Sequence, residues 1–254
     1  MLKTLTLALD VLKMFTKEKQ TWGGRELANE LQLNHARIYR VLETLTTNGF
    51  LKKNPETKKY SLGFAIWELG TIMYDGLNVR QLIKPELERL CSKTGESVFL
   101  TILDGNEGVT LEVAEPENKV KFTVTKGSRA PLYVGASYRA ILAYADEALI
   151  HSVIHDEPLV KYTNNTIASP SELEKELKII HRNGWSLSIS EYSKDIVAMA
   201  APIFRNNEVI GSITLSGPTY RMPDERVNEY LPLLMESRDK IEKVIIDYDL
   251  QLTE

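Results

Sequence analysis

The stretch ELANELQLNHARIYRVLETLTTNGFLKKN, residues 26–54, decides how the amino-terminal part of the chain is read. Leu27, Ala28 and Leu31 recur at helical spacing and give a short helix one apolar face. Gln32-Leu33 makes a tight break, and Asn34 is a suitable N-cap for a further helix from His35 to about Asn48. That helix buries Ile38, Val41, Leu42 and Leu45, and Gly49 ends it. Two short helices joined by such a turn are the helix-turn-helix arrangement. Its second helix presents Asn34, His35, Arg37, Tyr39 and Arg40, with Thr44 one turn later. Arg pairs with guanine, and Asn or His reaches base edges, when the start of such a helix enters the major groove of DNA. Behind it, Phe50–Lys53 and Lys58–Leu62 flank the turn Asn54–Thr57 as a hairpin. Lys52, Lys53, Lys58 and Lys59 stand where a wing touches phosphates or a minor groove.

Upstream, Leu5, Leu9, Leu12 and Phe15 predict a first helix through about Thr16. A small helical subdomain with a solvated face would show the same periodicity, so charge has to separate the two readings. The whole chain carries −4, which argues against a nucleic-acid partner until it is divided. Residues 1–60 hold eleven Lys and Arg against six Asp and Glu, a net +5, while the remainder holds 20 against 29, a net −9. A basic head on an acidic body points to a polyanion partner for the head alone.

The opening segment MLKTLTLALDVLKMF carries Asp10 in its apolar run and lacks a small-residue cleavage site, so it reads as an amphipathic helix and not a signal peptide. No stretch is long and apolar enough to suggest a membrane span. Cys91 is the one cysteine, which excludes internal disulfides and a thiolate metal cluster. These features lead us to expect a cytoplasmic protein with no cofactor and no metal.

Beyond the hairpin, Gly63–Asn78 reads as a helix rich in apolar side chains, and Val79–Thr94 as another stopped by Gly95. From Ser97 the pattern alternates: 98–103, 109–113 and 120–124 are strand-like, with 104–108 as the first turn. Helices are expected over 138–145, 146–155 and 171–183, the last opened by a Ser171/Glu174 capping box. Strands over 187–189, 196–204 and 208–216 and a long helix over 226–250 complete an α+β domain with an antiparallel sheet. The expected organisation is a winged helix-turn-helix over 1–62, a linker helix over 63–78 and a ligand-binding and oligomerisation domain over 79–254. Ser186, Ser188 and Ser190 share one face of their strand, as do Ser212, Thr214 and Ser216. Such stripes suit either a hydrogen-bonding pocket floor or the wet side of a half-buried sheet.

The segment 26–54 followed by KKYSLG (58–63) resembles the amino-terminal domain of isocitrate-lyase-regulator (IclR) type transcription factors. The resemblance continues through GSRAPLYVGASYRAILA (127–143), HRNGWSLSISEYS (181–193) and AMAAPIFRNNEVIGSITLSGP (198–218). It implies a GAF-like carboxy-terminal domain, a helix over 63–78 that helps pair the heads, and dimers or tetramers on a pseudo-palindromic double-stranded operator. It further implies a repressor-type regulator modulated by a small carboxylated or aromatic metabolite, bound near Ala136, Ser137, Ser188, Ala198, Thr214 and Ser216 with Val120 and Phe122 as apolar wall. Glyoxylate- and pyruvate-type members carry Asp where this chain has Ser188 and Cys where it has Ala198. Tyr138-Arg139 stands in place of a Gly-Lys pair. These departures suggest a larger polyol or sugar acid, with Arg139 pairing with its carboxylate.

His151 and His155 have metal-ligand spacing on a helix but no third ligand at a telling distance. Gly135–Arg139 matches half of a nucleophile elbow and lacks its closing glycine. Cys91 reads as a small core residue. No enzymatic activity is expected. The competing reading is a metabolite-binding or enzymatic domain whose winged helix mediates protein contacts.

Overall fold

Helix α1 (Lys3–Lys13) opens the chain and buries Leu7 and Val11. The sequence favours a different stripe, yet Leu5 and Leu9 are exposed and Leu12 and Phe15 only half-buried. Apolar residues surround this helix, so its periodicity admits two faces and packing chooses between them. Helix α2 (Gly24–Glu30) and helix α3 (His35–Thr47) follow, separated by a turn in which Gln32 has φ +52°. The Asn34 carboxamide accepts from the Ala36 amide at 2.8 Å, which caps α3. Ile38, Val41, Leu42 and Leu45 are all buried, as their spacing requires. A Cβ on Gly24 would lie 2.9 Å from the Tyr39 ring, so glycine lets this ring settle against the start of α2. Strands β1 (Leu51–Lys53) and β2 (Tyr60–Leu62) form the antiparallel wing. Trp22 extends it through paired backbone hydrogen bonds with Tyr60, and its indole donates to the Met14 carbonyl at 2.7 Å. Helix α4 (Phe64–Gly76) buries none of its residues.

The computed structural model describes residues 2–76, 78–117, 122, 124–156 and 158–252, and the chain divides into two units, Met1–Gly76 and Leu77–Glu254. In the second unit the single helix expected over 79–94 is two, α5 (Val79–Leu82) and α6 (Lys84–Thr94). The break falls at Ile83, where Pro85, in the first turn of α6, has no amide to donate back to the preceding turn. Strands β3 (Ser97–Asp104) and β4 (Glu107–Ala114) form the first hairpin. A short edge strand, β5 (Arg129–Pro131), pairs with β4 and is too brief to show as a pattern. The strand expected over 120–124 falls mostly outside the described residues; Phe122 and Val124, which are described, lie in no regular element.

Helix α7 (Gly135–Leu142) begins three residues earlier than its periodicity suggests, and α8 (Glu147–His155) is capped by Asp146. Helix α9 (Pro170–Asn183) has Ser169 at its N-cap. Ser171 therefore sits inside the helix, and its expected capping box with Glu174 does not form. Pro170 fixes the register, since proline is favoured in the first turn. Strands β6 (Ser186–Ile189), β7 (Ile196–Arg205) and β8 (Glu208–Pro218) precede the closing helix α10 (Asp224–Asp247). The sheet order is β5-β4-β3-β8-β7-β6, all antiparallel.

Alternation divides the sheet into unlike faces. Val98, Leu100, Met199, Ala201, Ile213 and Leu215 join α5, α6 and α10 in one apolar core. The opposite face meets α7 through Ala136, Ala140 and Ala200, and α7 in turn packs on α8 and α9. Cys91 belongs to the first core.

Candidate functional site

Two sites emerge, one on each unit. In the amino-terminal unit Asn34, His35, Tyr39, Arg40 and Thr44 are exposed and Arg37 is half-buried. Arg37, Arg40 and Thr44 also line a depression of about 230 Å3 against Thr4 and Ala8 of α1. Tyr39 divides its ring between solvent and Gly24, so it locks the two helices while facing outward. At the wing tip the Asn54 side chain accepts from the amides of Glu56 and Thr57, both at 2.9 Å, and Lys58 has φ +58°. This fold-back leaves Lys52, Lys53, Lys58 and Lys59 exposed. Lys53 lies over the Tyr60 ring, 5.2 Å from its centroid. A capped helix with two arginines beside a lysine-rich hairpin can engage a groove and its flanking phosphates together.

The second site is a cavity of about 230 Å3 in the carboxy-terminal unit. Its floor is the first turn of α7, including Ala136, Ser137 and Tyr138; Ser188, Ala198 and Ser216 face it from three strands. Phe99, Phe122 and Val124 supply apolar wall, and Tyr192 and Ser193 enclose it from the loop between β6 and β7. Both hydroxyl stripes are buried apart from Ser190, so this is not the wet side of the sheet.

Hydrogen-bond directions follow from counting protons. Ser212 spends its one proton on the Ser137 carbonyl at 2.8 Å. It therefore accepts from the Ser137 hydroxyl at 3.1 Å, and Ser137 in turn accepts from Thr101 at 2.7 Å. Ser216 donates to the Val197 carbonyl at 3.0 Å. Ser137 and Ser216 consequently offer a ligand acceptors only. Ser188 is 4% exposed, and its hydroxyl has no hydrogen-bond partner among the described residues. Burial pushes the Tyr138 hydroxyl well above its ordinary value, with Tyr192 adding to the effect and a hydrogen bond to Thr110 opposing it. The ring packs against Gly108, where a Cβ would come within 2.3 Å of it.

Two expected ligand-facing residues, Arg139 and Thr214, stand elsewhere. Arg139 is fully buried outside the lining, with its guanidinium engaged by the Glu191 carboxylate and, at 3.0 Å, the Leu187 carbonyl. It is not a cation awaiting a ligand, because a carboxylate of this chain already occupies it. Thr214 is buried beneath α7, its hydroxyl has no hydrogen-bond partner among the described residues, and it is not part of the cavity lining. Val120 lies outside the described residues. Sequence reasoning missed Phe99, Tyr192 and Ser193. Tyr192 follows the serine stripe in 181–193, but a loop residue has no period that aims it.

His151 and His155 are neighbours on α8, with ring centroids 4.7 Å apart. Among the described residues no group of three His, Cys, Asp or Glu could hold a metal ion. Nor is any described helix long and apolar enough to cross a membrane.

Residues 72–243 match the family described as bacterial transcriptional regulator IclR, C-terminal, and residues 4–55 match the IclR helix-turn-helix domain. The chain is 31% identical over 235 residues to the HTH-type transcriptional regulator KipR of Bacillus subtilis, covering 92% of each protein. An IclR transcriptional regulator from Alicyclobacillus acidocaldarius superimposes with a TM-score of 0.85 at 28% identity, covering 96% of this chain and 99% of that one. An IclR homologue from Microbacterium hydrocarbonoxydans, solved with 4-hydroxybenzoate, shares the fold at TM-score 0.83 and 23% identity, over 96% of this chain and 99% of its own. With a DNA-reading head and a ligand-sized cavity in its body, the chain belongs to the IclR family of transcriptional regulators.

Proposed function

We propose that the chain is a cytoplasmic repressor whose hold on a pseudo-palindromic operator changes when a small hydroxylated monocarboxylate fills the cavity between α7 and β6. The Ser188 hydroxyl, which opens on the cavity beside the first turn of α7 with no hydrogen-bond partner among the described residues, carries this reading. The leading amides of a helix lack acceptors within it and favour an anion. The described lining contains no Asp, Glu, Lys, Arg or His, so a second charge on the ligand would be buried uncompensated. Ser137 and Ser216, as acceptors, call for a ligand that also donates. A sugar acid meets these terms, and so does 4-hydroxybenzoate, the molecule held by the Microbacterium homologue. Calorimetry with gluconate, 4-hydroxybenzoate and a dicarboxylate should give heat for a monocarboxylate only. No heat from any of them, or tighter binding of the dicarboxylate, overturns the assignment.

The same geometry supports regulation over catalysis. Ser137 gives its proton to Ser212 and not to a base, so it lacks the activation a nucleophile needs. For the head, replacing Arg37 and Arg40 by alanine should abolish operator retardation in a gel shift. Operator affinity of the unaltered protein should fall steeply with salt. Retention of operator binding by the double variant would favour a winged helix used for protein contacts.

A homodimer, or a tetramer built from it, is the assembly this reading requires, because one winged helix reads too few base pairs. Leu2, Leu5 and Leu9 are exposed at i, i+3 and i+7 around α1, and Phe64, Trp67, Leu69, Ile72 and Met73 are exposed on α4. So much exposed apolar surface fits a second copy of the head. Sedimentation of Trp67→Glu should show loss of the dimer.

A further inference from the structure

The cavity wall supplied by residues 190–195 is held in an uncommon conformation. Ser190 and Asp195 both lie in the left-handed region, at φ +56° and +59°, which non-glycine residues keep only when their surroundings impose it. Within the loop the Ser190 amide donates to the Ile196 carbonyl at 2.7 Å, and the Asp195 amide to the Ser190 hydroxyl at 3.0 Å. On its outer side Thr163 donates to the Ser190 carbonyl at 2.6 Å and Thr166 to the Glu191 carbonyl at 2.7 Å. On its inner side the Glu191 carboxylate takes both terminal nitrogens of Arg139, which stands on the same helix as the cavity floor. Tyr192 and Ser193, the two lining residues of this loop, follow directly. The Tyr192 ring stacks on Tyr162 at 5.3 Å and meets Tyr138 at 6.4 Å.

A buried ion pair rarely stabilises a fold more than an apolar pair of similar size, because desolvation consumes the attraction. Here the Arg139 Nε also lacks a partner among the described residues, so the pair is not optimised for stability alone. We propose that Arg139 and Glu191 are positioning residues of the cavity. Their pairing fixes how far Tyr192 and Ser193 stand from the first turn of α7, and so sets the size of the ligand admitted. The pair also cancels its own charge, which keeps a cation next to the cavity from drawing in a second carboxylate. This inference rests on the effector reading of the cavity.

The test compares the full-length protein with Arg139→Lys and with the double variant Arg139→Met/Glu191→Leu, which leaves no unpaired buried charge and folds on the argument above. In the double variant the melting temperature should stay within a few degrees. The Ser190 and Asp195 amides should exchange with solvent at least tenfold faster, while the β3–β8 ladder keeps its protection. Affinity for the probe 4-hydroxybenzoate should fall at least tenfold, with Arg139→Lys in between. Unchanged exchange at Ser190 and Asp195, or a change that merely follows the melting temperature everywhere, overturns the positioning role. If the unaltered protein gives no heat with the probe, that result counts against the ligand reading, and the exchange comparison alone decides the pair.

Discussion

Helices α3 and α7 both stand at the centre of their units, and they are built on opposite plans. Helix α3 buries four of its thirteen residues, Ile38, Val41, Leu42 and Leu45, and turns the others toward solvent. All eight residues of α7 are buried, among them Ser137, Tyr138 and Arg139. The first helix separates packing from function largely by face, with Tyr39, which rests on Gly24 while facing outward, as the residue that serves both. The second uses the same residues for both, since Ser137 holds the sheet through Thr101 and Ser212 while lining the cavity. A regulator that reads a polymer outside and a metabolite inside needs both plans.

The largest expected effect lies on the packing side of α3. Leu42 is fully buried, and its truncation to alanine should cost about 3 kcal/mol by lost transfer energy and a residual cavity. The amino-terminal core is small, so calorimetry should show its transition lowered by more than ~10 °C. The carboxy-terminal transition should stay in place. Equal displacement of both would mean that the two units unfold as one and that the contrast is only local.

That division also explains what the sequence disclosed. The buried stripe of α3, its Asn34 cap and the stop at Gly49 are local and periodic, so they are legible. On α1 the same rule misled, because apolar residues surround the helix and the chain does not state which side meets a neighbour. The start of α7 was invisible to periodicity, because a helix buried on every side has no amphipathic phase. The serine stripes announced a polar face but not its surroundings; burial under α7 decided between pocket floor and solvent. Arg139 was misplaced because Glu191 lies 52 residues away, and only the fold brings the two carboxylate oxygens to it. Tyr192 and Ser193 came from a loop, where position carries no repeating signal.

On the α7 side, moderate effects of both signs are expected. Ser212→Ala removes the donor to the Ser137 carbonyl and the acceptor of its hydroxyl. With buried polar atoms left unpaired, the carboxy-terminal unit should lose about 1–2 kcal/mol in urea titration. Thr214→Val should do the reverse. Its hydroxyl is buried with no partner among the described residues, so removing it relieves a desolvation cost, with a gain of about 1 kcal/mol. If both variants are destabilised alike, the inner face tolerates no change for reasons of shape and not of hydrogen bonding.

The smallest effect expected distinguishes the units by pH. In the head, the Glu26 carboxylate takes Lys19 at 2.6 Å and the Gly23 amide at 3.0 Å, and these hold its pKa below the ordinary value. In the body, burial holds Glu242 above its ordinary value, against a hydrogen bond from the Phe204 amide at 2.9 Å. Linkage then gives the two opposite signs. The stabilisation from Glu26 is complete above the unfolded carboxylate pKa and fades as pH falls through the lower folded value. For Glu242 the folded state binds the proton more tightly. Its burial cost is present at neutral pH and lifts as pH falls from the raised value toward the unfolded one. Glu26→Gln should therefore flatten the acid side of the head's melting curve. Glu242→Gln should raise the body's melting temperature slightly at pH 7 and leave it unchanged near pH 4. Glutamine retains an acceptor for Phe204, so a fall at pH 7 would show that the charge itself, and not only the hydrogen bond, is needed at this position.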